Sequence, residues 1–105
     1  MDIIVEELIV EEDRPKQIAR HGVKIEEVKQ IVEGDYVFIQ GKYGRWLLIG
    51  KTKKGRSLTV VVGERDRKNA YGLVTARSAS REERSFHNEF ILQTGGEMNG
   101  KNKKS

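Results

Sequence analysis

A chain of 105 residues, 34% of them charged and 36% hydrophobic, has material for one small two-layer core and too little to enclose a cofactor cavity. It has no cysteine, which excludes a disulfide framework and a thiolate metal site and fits a reducing cytosol. The formal charge of +4 is unevenly spread: residues 1–40 hold five basic and ten acidic side chains, residues 41–105 fifteen and six.

A basic second half is the electrostatic footprint of a nucleic-acid binder, and it would equally attract an acidic protein. No apolar run reaches membrane-spanning length, and the first residues, MDIIVEELIVEED, are too acidic for a signal peptide or anchor. A cytoplasmic protein with no membrane partner is expected.

In chain order, Asp2 to Val10 is rich in β-branched residues and predicts a first strand. Asp13 and Pro15 mark a helix start, and that helix stops at Gly22. His21, beside this glycine, suits capping of exposed carbonyls better than catalysis. A second helix spans Ile25 to Glu33, with Ile25, Val28 and Ile31 or Val32 on its buried face, and Gly34-Asp35 ends it. Three strands follow: Tyr36 to Gln40, Arg45 to Lys51 and Ser57 to Val62, joined through Gly41–Gly44 and Thr52–Arg56. Gly63 to Asn69 is a charged turn. Consecutive strands with short loops predict an antiparallel meander, with the helices covering one side. Trp46 and Tyr71 suit packing in this sheet better than base stacking. The expected class is therefore α+β: a small, mostly antiparallel sheet with two N-terminal helices and one C-terminal helix. The single domain covers residues 1–93, and 94–105, rich in Gly, Asn and Lys, predicts a disordered basic tail.

Tyr71 to Phe90 carries the most chemistry. Tyr71, Leu73 and Thr75 alternate as a half-buried strand, and Arg77 stands at its end. Ser80 and Glu83 fit a capping box, so a helix begins near Ser80. Arg81, Arg84 and either His87 or Asn88 then share one helix face, while Ala79, Phe86 and Phe90 supply the apolar side. Arginines at a strand end and on the adjoining helix suit phosphate. Ordinary solvated arginines are the plainer reading.

Taken together, RHGVKIEEVKQIVEG, YGRWLLIGKTKKGRSLTVVVGER and VTARSASREERSFH resemble the BrnT toxins of bacterial type II toxin–antitoxin systems, which have a RelE-like fold. The resemblance covers roughly Ile18 to Phe90. It implies a ribonuclease that is held inactive by a cognate ribbon-helix-helix antitoxin and meets operator DNA only through that complex. Carried over by position, the family's site falls on Arg45, Glu64, Arg65, Arg77 and Arg84, with His87 where the family often has a tyrosine. The Trp-Asp pair common in the family's first strand is absent here.

Cleavage of RNA without metal or cofactor needs a base for the 2′-hydroxyl, positive groups for the phosphorane, and an acid for the leaving oxygen. Arg45 and Arg77 suit the second task, because a guanidinium pairs bidentately with phosphate. Glu64 or His87 suits the first. Lys51, Lys53, Lys54, Arg56 and Arg81 are the expected RNA-backbone contacts. The alternative is a non-catalytic RelE-like domain that binds RNA or an acidic protein partner.

Overall fold

The β-branched and aromatic runs after Gly34 build the sheet on which the rest of the chain packs. A computed structural model describes residues 3–94 and 99–100. β1 (Glu7–Ile9) is followed by α1 (Arg14–Ala19) and α2 (Ile25–Glu33). Next come β2 (Asp35–Gln40), β3 (Arg45–Lys51), β4 (Ser57–Glu64) and β5 (Ala70–Ser78), then α3 (Arg81–Thr94) and the two-residue β6 (Asn99–Gly100). Thr94 and Asn99–Gly100 thus belong to elements, and the remainder of the tail expected over 94–105 lies outside the described residues. No helix among the described residues is long and apolar enough to cross a membrane.

β2 to β5 form the antiparallel meander that their short connections predict. The sheet as a whole is mixed, which corrects the mostly antiparallel expectation. Its order is β1-β5-β4-β3-β2-β6, and β1 lies parallel to β5. β5 ends the meander, its outer edge occupied by β1. The Asn69 carbonyl at its start accepts the N–H groups of Glu6 (2.9 Å) and Glu7 (3.2 Å), which aligns β1 with it. The first strand is also shorter than Asp2 to Val10. Ile3 is buried in the main core, and its carbonyl accepts the Tyr36 hydroxyl at 2.6 Å, so this part of the chain seals the core instead of extending the sheet.

The helices divide between the two faces, correcting their expected grouping on one side. Strand alternation sends Tyr36, Leu48, Leu58, Val60, Val62 and Leu73 to one face, where Ile18 of α1 and Val28, Ile31 and Val32 of α2 close the main core. The opposite face carries a smaller cluster, Val37 and Ile49 with Ala79, packed by Ile39 and by Phe90 of α3. There the partnered positions form rows across the sheet: Ile49, Thr59 and Arg77, then Leu47, Val61 and Thr75, then Arg45, Gly63 and Gly72. α3 packs near the first row. In the other two rows Leu47, Val61 and Thr75 stay partly exposed, and Arg45 is exposed. A shift of register between Val61 and Val62 inserts Val74, whose side chain reaches toward Gly63 on this open part.

Candidate functional site

The open part of the α3 face is floored by backbone. Gly63 and Gly72 are direct cross-strand partners, and glycine within a strand marks a place where something approaches the backbone closely. Arg65 supplies that approach at Gly72: a Cβ there would stand 2.4 Å from Arg65 Nη2. The Arg45 side chain passes over Gly63, its Cγ 4.0 Å from where a Cβ would be. The two arginines therefore lie over neighbouring positions of adjacent strands. Arg65 also donates from Nη2 to Glu11 Oε2 at 3.2 Å, an exposed pair of small energetic weight. Arg45 makes no ion pair among the described residues.

Glu64 follows Gly63 and points to the other face, where its Oε2 accepts the Trp46 indole N–H at 3.1 Å. Trp46 itself packs on the main core and edge-on to Phe38, as expected of a sheet aromatic. Glu64 and Arg65 line one cleft with Ile9, Asp66 and Arg67 at this end of the sheet. The carboxylate also raises the pKa of buried Tyr71, although burial is the larger cause.

Arg77 is held differently from what a free strand-end arginine implies. It donates from Nη1 and Nη2 to the two oxygens of Glu83, both at 2.8 Å. Glu83 also accepts the Thr59 hydroxyl at 2.7 Å and the Ser80 N–H at 2.8 Å, and Ser80 Oγ accepts the Glu83 N–H at 3.1 Å. The capping box thus forms, and its carboxylate does more than cap. Chiefly through Arg77, then Ser80 and Thr59, the Glu83 pKa falls to about 2. It is fully ionised at neutral pH and is no proton acceptor there, while Arg77 is neutralised.

The same tether sets how α3 rolls on the sheet. With Glu83 fixed to Arg77 and Thr59, one and two turns later His87 and Phe90 face inward. His87 is 4% exposed, and its Nε2 is enclosed without a hydrogen-bond partner. Burial, helped by the nearby charge of Lys51, lowers its pKa. Phe86, expected inside, is 39% exposed. Of the two alternatives for the polar face shared with Arg81 and Arg84, His87 is excluded by its burial and Asn88 is exposed like both arginines. Arg81 and Arg84 remain exposed, and Arg84 donates from Nη1 to the Ala79 carbonyl at 2.9 Å.

Arg56, expected on RNA, is a structural clasp. It donates from Nη1 to the Gly22 carbonyl (2.7 Å) and to both Glu27 oxygens (3.1 Å each), and from Nη2 to Ser78 Oγ (3.3 Å). Gly22, at φ 75°, holds its carbonyl there through a conformation that side chains disfavour. The Lys24 N–H bond first, and Arg56 second, lower the Glu27 pKa. Lys51 is exposed on the α3 face. Lys53 and Lys54 sit at the β3–β4 turn, in a groove shared with Glu26 and Glu27.

The expected residues therefore fall into three places. Arg45, Arg65, Lys51, Arg77, Arg84 and His87 belong to the α3 face, with Arg77 and His87 engaged internally. Arg81, exposed at the start of α3, joins that group; Glu64 stands at its rim, and Arg56 lies across the sheet in the groove that Lys53 and Lys54 also line. No protein-family model matches the chain, and no curated protein matches it in sequence. Among solved structures, the chain is similar to the ribonuclease toxin BrnT of Brucella abortus: TM-score 0.58, 20% identity, covering 71% of this chain and 97% of that one. The two chains share a fold. What sequence reasoning missed is the glycine floor, which the paired strand glycines signal, and the exposure of Tyr43 at the β2–β3 turn.

Proposed function

We propose that this chain is the toxin of a type II toxin–antitoxin pair: an endoribonuclease that needs no metal and is silenced by a cognate ribbon-helix-helix antitoxin, whose complex with it binds operator DNA. One observation carries the reading. On the fold of a ribonuclease toxin, the half-open sheet face presents Arg45 and Arg65 side by side over a glycine floor. Paired guanidinium groups there suit the charge that develops on a phosphorane. Glu64 points to the other face and holds the Trp46 indole through Oε2; at the sheet end, where it lines a cleft with Arg65, its second carboxylate oxygen accepts the 2′-hydroxyl proton. Enclosed His87 is a poorer base, because it cannot reach substrate while α3 is docked. Arg84, Arg81, Lys51, Lys53 and Lys54 extend the positive surface along the RNA backbone. The antitoxin covers the same face. The reaction belongs in the cytoplasm, where RNA is.

A second reading, a non-catalytic domain that binds RNA or an acidic protein, is favoured by the neutralisation of Arg77 and the sealing of His87. Expression of the chain alone, and together with the adjacent open reading frame, separates the two. Growth arrest relieved by the neighbour, with RNA cleaved by the purified protein in chelator, supports the toxin. Binding without cleavage or arrest supports the second reading.

A further inference from the structure

Tyr43 stands at the tip of the β2–β3 connection and is 91% exposed. An aromatic ring left this open forgoes the burial that usually justifies its presence. Its backbone lies at φ 59°, where a bulky residue is an outlier, and Gly44 follows at φ 71°. Two consecutive positive φ values are what mirror-image hairpin turns require, and Asn-Gly or Gly-Gly fills them without strain. Neither packing nor turn chemistry accounts for a tyrosine here.

The turn is also firmly held. Gly41 N–H donates to the Arg45 carbonyl at 2.8 Å, Arg45 N–H to the Lys42 carbonyl at 3.2 Å, and Glu64 N–H to the Gly44 carbonyl at 3.1 Å. The ring is therefore offered to solvent from a fixed base, between Lys42 and Arg45, both exposed and in no ion pair among the described residues. Glu64, the proposed base, is bonded to the same turn.

We infer that Tyr43 is a stacking platform for an unpaired RNA base, with Arg45 taking the adjoining phosphate. The inference rests on the RNA reading above and deepens it: the substrate is single-stranded at this position, because a base inside a duplex has both faces covered. Stacking of this kind tolerates any base and joins naturally to cationic backbone contacts.

The test measures binding of a short fluorescent single-stranded RNA, and of a duplex of the same sequence, to wild type and to Tyr43→Ala, Tyr43→Asn and Tyr43→Phe. Alanine and asparagine should weaken single-strand binding about tenfold, while phenylalanine binds as wild type. Duplex binding should not change. Asparagine suits the turn and should raise the melting temperature, which separates lost stacking from lost folding. Single-strand binding by Tyr43→Ala equal to wild type overturns the inference and turns the ring toward a protein partner. So does equal loss with phenylalanine, or equal loss on duplex. A wild type that cleaves RNA with Tyr43→Ala binding unchanged refutes only this inference. One that binds with the predicted ring dependence but never cleaves refutes only the ribonuclease reading.

Discussion

Arg77 and Glu83 each satisfy the other's charge, and the pH dependence of stability follows from that. The Glu83 pKa is about 2, below its ordinary 4.5, so its contribution is complete above 4.5 and is lost as pH falls toward 2. Glu83→Gln should cost about 2 kcal/mol at neutral pH, the scale of lost charge-assisted hydrogen bonds, and flatten the acid limb of a denaturation series. His87 adds a loss at milder acidity. Its pKa is lowered from 6.5, so the unfolded chain binds the proton first, and stability present above 6.5 declines as pH falls below it. Melting temperatures taken near neutrality and about one unit below 6.5 should differ for wild type and differ less for His87→Leu. Gly72→Ala tests the floor. The nearest atoms to the added Cβ belong to the guanidinium end of Arg65, a flexible side chain that can move away. The fold should hold within about 1 kcal/mol, while RNA cleavage falls because Arg65 is displaced.

At the scale of elements, the Arg56 clasp joins the turn before α2, the helix itself and the end of β5. Arg56→Lys keeps the charge but loses the planar fork, and should lower stability by about 1–2 kcal/mol with RNA affinity nearly unchanged, as urea denaturation and a binding titration would show. A residue that contacted RNA would give the reverse pattern. Arg56 also shows where sequence reading stops. Gly22, Glu27, Arg56 and Ser78 are individually visible, but their meeting depends on tertiary proximity that no local period encodes. α2 was legible to its ends, because its apolar spacing and Gly34 are both local signals. The same holds for β3. The roll of α3 was not, since the Glu83 tether to Arg77 and Thr59 decided it against a weak apolar stripe. β1 was legible as a strand but not as a parallel one, because side-chain alternation is the same in both directions.

For the whole molecule, the basic second half is divided between the two faces of the sheet, and several of its arginines pair with acidic residues. α1 and α2 close one side of the sheet over the main core, and α3 closes only part of the other. The remaining part keeps Arg45 and Arg65 over Gly63 and Gly72, while Lys51 stands on the same face beyond the row that α3 covers. This division explains why the expected site was only half legible. Residue type identified the arginines, but strand register separated those left open from those engaged internally. The most direct test is the rate at which purified protein cleaves RNA in the presence of chelator, wild type against Arg45→Ala, with circular dichroism confirming that both are folded. Loss of one preorganised charge stabiliser should lower the rate about 10²–10³-fold. Wild-type protein that cleaves no RNA, or Arg45→Ala that cleaves as fast as wild type, would contradict the account.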